Sequence, residues 1–432
     1  MHQADISLEH VAKVEGAADV RVQIRDGKVT DVKYAITEAK RFYTKGVEGK
    51  PVIALPGLLS RICGTCSNAH IMASIEACEH SQGIVPTEQT MALRHLTMCG
   101  LNIRDHALHL YLFALPDMVG KDNFLSLDEN DPAQHQMLHD AFDIKAAGNF
   151  LAELVAGRSV HAVLPTLGGF LKIPDKKGID EAVNKLWAVR EAAIRTVKLF
   201  AETSFHFDRK TSFMALVPTD GKFGFLDGEI VTSQGERIPE SGYKQHLEHF
   251  IMPYSQASGY KHHGEPYMVG SLARLNLAKD LLHPKTKESL AEWLKLFPST
   301  DIYHNNTAQA VEIVQCIDQA IELLTTREYK PEAPVRVPPR AGVGVGVVEA
   351  PRGTLYHLVE TDAKGTCVRG EVMVPTNQNQ VNMEADIGGI VQAMLPDTDE
   401  PKILHEIEKL VRAYDPCMSC AAHFLKLKME RT

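Results

Sequence analysis

The sequence predicts a mainly α protein with small β attachments, an α+β fold built around a bundle of long helices, and three observations lead there. Apolar residues recur at helical spacing over long segments, at roughly 133 to 157, 179 to 204 and 306 to 326. Strand-like alternation is confined to short runs bounded by glycine, proline and aspartate. Two Cys-x-x-Cys pairs, in RICGTCSNAH (Arg61 to His70) and DPCMSCAAH (Asp415 to His423), stand near opposite ends of the chain. Two thiolates three residues apart can face one metal ion, so the site forms where the two ends of the chain meet.

In chain order, residues 18 to 35 alternate Val20, Val22 and Ile24 before an Asp26-Gly27 turn, a hairpin signal lying directly behind Glu15 and Gly16. Helical spacing then runs from Asn68 to about Ser81 and from Thr87 to about Phe113, with Thr87 the N-cap after Pro86 and the second helix long enough to be central. Residues 213 to 275 carry glycine, proline and short alternating runs that predict irregular β structure. GVGVGVV, from Gly342, has the glycines of a dinucleotide loop but leads to Ala350-Pro351-Arg352 instead of opening a helix. Its glycines are expected to pack tightly beneath Arg352. A second hairpin is predicted across Asp362 to Gly365, and a last helix through PKILHEIEKLVRAYDPC, stopped by Pro416. No internal repeat is visible. Residues 1–432 read as a single domain, with PEAPVRVPPRAG near residue 335 a surface crossing.

Composition excludes several function classes. With 44% hydrophobic and 23% charged residues the chain is ordinary for a soluble globular protein. A net charge of −9 without a dense basic block offers no footprint for nucleic acid or anionic lipid. The N-terminus has no apolar signal region and no window approaches the ~20 apolar residues of a membrane span, so the expected location is cytoplasmic unless a partner carries an export signal. Eight cysteines are too sparse for a disulfide scaffold. Cys78, Cys99 and Cys316 fall in apolar helical stretches as inert buried thiols, and with Cys367 they make no second metal site.

Taken alone, two such pairs suit a structural zinc site. Zinc ribbons, however, hold their pairs within about 20 residues to staple a small module. Here most of a large chain intervenes. A thioredoxin-like pair would lie near a βαβ pattern, which neither does. Soft thiolates inside a large protein suit nickel, iron or zinc, and the surroundings must discriminate.

Those surroundings are Arg61 before and His70 after the first pair, and Asp415-Pro416 before and His423 after the second. Together they resemble the large subunit of nickel-iron hydrogenases. KVEG (Lys13 to Gly16), RDHALHLYLFALPD, GRSVHAVLPTLGG, EAPRG (Glu349 to Gly353) and VPTNQN (Val374 to Asn379) resemble further elements of that family in order. The short length and the Thr-Asn-Gln-Asn run resemble its soluble cytoplasmic branches.

The resemblance implies reversible heterolytic cleavage of hydrogen at a buried nickel-iron centre. Cys63, Cys66, Cys417 and Cys420 would hold nickel, with Cys66 and Cys420 also bridging to an iron that carries one carbon monoxide and two cyanides. Buried cyanides need hydrogen-bond donors, and Arg352 and Thr376, with Pro375 beside it, match the family positions that serve them. The alternatives are a structural ion pair for Arg352 and a strand-end cap for Thr376. The base is either a terminal cysteine thiolate or Arg352. A guanidine is far too basic to act without help from nearby carboxylates, and Asp105 and Asp415 match the family positions around it. Asp415 also fits a plain Asp-Pro turn. Glu15 matches the glutamate that takes the proton from a terminal cysteine, against the alternative of a surface acid. His70 and His161 sit in matching motifs, as participants or as supporting hydrogen-bond partners.

His423 matches a magnesium ligand, but Thr44, in Arg41-Phe42-Tyr43-Thr44, stands where the family supplies a glutamate to that ion. That site is then empty, water-rich, differently occupied, or served by another acid such as Glu48. The chain also continues FLKLKMERT after His423, where many family members are cut during maturation. It is either an unprocessed precursor or a branch that matures uncut, and the resemblance implies maturation proteins as partners. With no cysteines left for a relay, electrons are expected to leave through an iron-sulfur small subunit and further acceptor subunits. Rival readings are a slow hydrogen sensor, a non-catalytic complex I-like subunit, which would lack the four cysteines, and a zinc scaffold.

Overall fold

At the N-terminus β1 (Ala4–Leu8), β2 (Ala18–Arg25) and β3 (Lys28–Ile36) form an antiparallel sheet in that order. The β2–β3 turn falls at Asp26 and Gly27, whose φ values of 52° and 73° are those a two-residue hairpin needs. Val20, Val22 and Ile24 are buried while Arg21 and Gln23 between them face solvent, as the alternation predicts. The protein is described by a computed structural model over residues 3–396 and 398–422.

The helical core follows as α1 (Ser67–Gln82), α2 (Glu88–Leu108), α3 (Pro132–Ala156) and α4 (Lys176–Ala201). The last three starts are specified locally. Thr87, Asp131 and Asp175 accept from backbone N–H groups of their first turns, and Pro132 occupies the first position of α3. Gly83 and Gly157, both left-handed, end α1 and α3. α2 continues as a wider-turned helix, His109–Ala114, until Pro116, so the long helix expected to Phe113 is present with a change of pitch.

The region expected to be irregular β holds β4 (Ser212–Pro218), β5 (Gly228–Thr232), β6 (Arg237–Pro239), β7 (Leu247–Ile251) and β8 (Ser258–His262). β4, β5 and β6 form one sheet, extended by a parallel dipeptide, Tyr267–Met268, and β7 pairs with β8. Two longer helices follow, α5 (Ser271–Ala278) and α6 (His304–Thr326), and residues 327–341 then cross the surface without regular structure. The last sheet is a meander of β9 (Gly342–Ala350), β10 (Gly353–Thr361) and β11 (Cys367–Met373), succeeded by α7 (Pro375–Met394) and α8 (Glu400–Ala413).

Two expectations are corrected. The alternating glycines of β9 do not lie beneath Arg352. They face α1, where a Cβ on Gly342, Gly344 or Gly346 would stand 2.1, 2.0 or 2.2 Å from the carbonyl oxygens of Ser81, Ala77 and Ala73. Only glycine lets strand and helix backbones approach so closely, and Arg352 sits farther on, in the β9–β10 turn. Second, α7 has no counterpart in the expectations, which carry the hairpin through Thr376. Its first turns are polar on every side yet buried, because Gln378, Asn379 and Gln380 give their amides to backbone groups of Thr354, Val269 and Tyr34. Apolar periodicity cannot reveal such a helix.

The chain ends meet as the cysteine spacing requires. Glu15 pairs with Cys417 in a parallel bridge, Arg412 Nη1 donates to Ala12 O at 3.0 Å, and Arg41 N donates to Ala422 O at 3.0 Å.

Candidate metal centre

Four sulfurs converge where these ends touch. Cys63 leaves a turn at Ser60–Ile62 in extended conformation and Cys66 precedes α1. Cys417 follows Asp415, whose φ of 51° turns the chain sharply after α8, and Cys420 lies in the short helix Met418–Ala421. Sγ–Sγ distances are 3.4 Å for Cys63–Cys417, 3.1 Å for Cys66–Cys420 and 3.0 Å for Cys417–Cys420, and all four residues are buried. Burial, then the neighbouring thiols, pushes Cys417 and Cys420 well above the ordinary thiol range. Hydrogen bonds from Cys417 and Cys420 pull Cys63 below it. So many thiolates cannot share this volume without a cation, and the donor set fits a soft transition metal.

Arg352 reaches this cluster from the tip of the β9–β10 hairpin. Its Nη1 donates to Asp105 Oδ2 on α2 at 2.8 Å and its Nη2 lies 3.0 Å from Asp415 Oδ1. Asp415 is therefore both the turn residue its Asp-Pro context predicts and an ion-pair partner. Burial opposes the guanidinium charge, but Asp105, Asp415 and the adjacent sulfurs outweigh it and hold Arg352 protonated well above its usual range. The carboxylates thus work against Arg352 as a base, not for it.

Glu15 Oε2 accepts from Cys417 Sγ at 3.0 Å and from Ser419 N at 3.2 Å, so it is no surface acid. Thr376 Oγ1 accepts from Cys417 N at 2.9 Å, leaving its hydroxyl hydrogen for another acceptor, and Pro375 opens α7 beside it. His70 Nε2 is 3.6 Å from Cys420 Sγ while Nδ1 is 3.1 Å from His357 Nε2. His161, at a φ of 54°, is fixed through its backbone N–H on Ser67 Oγ at 2.8 Å. Thr44 lies in the short helix Tyr43–Gly46, lining a surface cleft with Glu48. Its expected magnesium partner His423 lies outside the described residues, as does the tail.

Sequence reasoning missed Arg274 on α5. Its guanidinium is buried against Glu312 at 2.6 Å and Glu349 at 2.7 Å. It also donates to the carbonyls of Ala350 and Pro351 at 3.0 and 3.1 Å, which clamps the turn that carries Arg352. Burial alone would raise the Glu312 carboxyl, but Arg274 and His106 bring it down to about 2. The available signal was Glu349 within EAPRG, a carboxylate in a run that becomes a buried strand and so requires a cation. Arg104, within RDHALHLYLFALPD, donates to Thr65 O and so braces the first cysteine loop. Among the described residues no helix is long and apolar enough to cross a membrane.

Residues 47–154 and 175–423 match the family described as nickel-dependent hydrogenase. The chain is 33% identical over 429 residues to sulfhydrogenase 1 subunit alpha of Pyrococcus furiosus, covering 98% of each. To sulfhydrogenase 2 subunit alpha of the same organism it is 32% identical over 428 residues, covering 98% of this chain and 100% of the relative. The structure superposes on an NAD+-reducing nickel-iron hydrogenase in its hydrogen-reduced state with a TM-score of 0.86 at 24% identity, covering 98% of this chain and 100% of the other. With a buried cysteine tetrad at the meeting point of its ends, the chain belongs to the nickel-dependent hydrogenases as a large subunit, an oxidoreductase that activates hydrogen at a nickel-iron site.

Proposed function

We propose that Cys63, Cys66, Cys417 and Cys420 hold the nickel-iron centre, that Cys417 is the base in hydrogen heterolysis and that Glu15 relays its proton. The observation that carries this reading is the 3.0 Å contact between Cys417 Sγ and Glu15 Oε2. Bound, the two metals supply the Lewis acidity and redox capacity that heterolysis needs. Cys417 Sγ takes the proton, and the carboxylate, oriented by Ser419 N, receives it. Arg352, held protonated, acts as a fixed positive charge and donor. It and the Thr376 hydroxyl are the donors a cyanide- and carbonyl-bearing iron requires.

Electrons leave through an iron-sulfur partner subunit, since Cys78, Cys99, Cys316 and Cys367 are buried on separate elements and join no metal-ligand cluster among the described residues. Exposed Ile53 and Leu171 share an apolar cleft with Val335 and Val337, and Leu58 and Val163 are exposed near the first cysteine pair, which supports docking on that side. A cytoplasmic location accords with the absence of a spanning helix among the described residues.

The test is an infrared spectrum of the chain with its partner under hydrogen. Three bands in the metal carbonyl and cyanide region that shift on reduction are expected; one zinc per cysteine tetrad and no such bands would overturn the reading.

A further inference from the structure

Far from the cysteines in sequence, three imidazoles from two segments of the β region face one carboxylate. Glu236, in the turn between β5 and β6, is held by Thr232, whose N–H donates to Glu236 O at 3.0 Å and whose Oγ1 accepts from Glu236 N at 3.2 Å. His246 ends the short helix Tyr243–His246, and its Nδ1 lies 2.8 Å from Glu236 Oε1. His262 ends β8, with Nε2 3.0 Å from Glu236 Oε2. His263, at a φ of 49° in the turn after β8, puts its Nε2 3.2 Å from the same oxygen.

Three of these residues, Glu236, His246 and His262, offer ligand atoms that all lie within 4.8 Å of one another. Tetrahedral bonds of about 2.0–2.1 Å place ligand atoms roughly 3.3 Å apart, close to these spacings. His262 is 7% exposed, and its Nε2 has the Glu236 carboxylate as its ion-pair partner. A cation at this point would meet imidazole nitrogens and a carboxylate that already converge.

In two other clusters the ligand atoms are already committed to other partners. In His206–Asp301–His304 the Asp301 carboxylate already accepts from Phe207 N and Tyr303 N, and His304 Nδ1 is bound to Ser299 Oγ. In Glu76–His80–Glu240 both acids accept backbone N–H groups and His80 Nδ1 is tied to Val345 O.

We propose that Glu236, His246 and His262, with His263 as the exposed fourth ligand, form a second metal site that takes one divalent zinc-class cation. Three imidazoles and a carboxylate suit zinc or cobalt, whereas magnesium and calcium prefer an all-oxygen set. The ion ties the β5–β6 turn to the end of the β7–β8 hairpin, two sheets that share no strand. This site is independent of hydrogen chemistry.

The experiment uses the complete enzyme with its metal centre, equilibrated with zinc ions alone and then dialysed against metal-free buffer. Zinc, nickel and iron are counted per chain, and the melting temperature is read with and without zinc. The wild type is expected to retain one zinc more than the His246→Gln/His263→Gln variant, whose changes fall at the less buried ligands and leave the core intact. Zinc affinity in the variant should fall by more than the roughly 10- to 100-fold that loss of a mere supporting residue costs a metal site. Nickel, iron and hydrogen uptake should not change, and zinc should raise the melting temperature of the wild type only. Equal zinc in wild type and variant, or no zinc in either, would overturn the proposal. His262→Gln in a folded variant with full nickel content must also lose the zinc, and its retention there would overturn it too.

Discussion

Glu15 accepts a hydrogen bond from Cys417 at 3.0 Å, although 402 positions separate the two residues in the chain. The contact depends on a parallel bridge between their backbones and on Gly16, where a Cβ would stand 2.9 Å from Met418 Cβ at a φ of 86° that side chains rarely adopt. The N-terminal segment is thereby held against the second cysteine pair by contacts of the chain itself.

Glu15→Gln should therefore suppress hydrogen oxidation by roughly 10²-fold or more, the usual worth of a positioned proton-transfer group. Nickel and iron content and the infrared bands should stay those of the wild type, because the amide preserves the hydrogen bond from Ser419 N. Full turnover with normal metal content would remove Glu15 from the proton path.

Arg274→Gln strands Glu312 and Glu349 in the core and frees the turn that presents Arg352. Removing one partner of a buried ion pair costs roughly 3–5 kcal/mol, so a large fall in melting temperature is expected. The pH dependence gives a second readout. The Glu312 carboxyl sits at about 2 in the folded chain against an ordinary 4.5, so its contribution to stability is present above pH 4.5 and is lost as pH falls toward 2. The wild type should lose more stability than the variant across that window. Parallel curves would show that Arg274 does not hold Glu312 ionised.

Gly344→Ala places a methyl 2.0 Å from the Ala77 carbonyl oxygen, a backbone atom that cannot rotate away. Overpacking of this kind costs roughly 1–3 kcal/mol, or more where two backbones must part. Cys66 directly precedes α1, so nickel occupancy should fall along with the melting temperature. An alanine variant with wild-type stability would mean that β9 and α1 are not held in the contact described.

The cysteine pairs, Arg352, Asp105, Asp415 and Glu15 could all be named from the sequence because each lies in a short run of distinctive neighbours. Arg274 could not, since its surroundings in the chain say nothing of the Glu349 and Ala350 it meets 75 and 76 positions away. The direction in which Asp105 and Asp415 push Arg352 was equally out of reach, because it depends on distance and burial rather than on residue type.

The sequence by itself determined the long helices, the hairpins, the cap at Thr87, and the residue types gathered for metal chemistry. Those follow from local spacing and local hydrogen bonding, which act over a few residues. Tertiary structure alone decided that β9 glycines serve α1, that the amide-rich run after Pro375 is a buried helix, and that Cys417 faces Glu15. Each is settled by which distant backbone groups and side chains a residue meets, and that is fixed only when the chain has closed on itself.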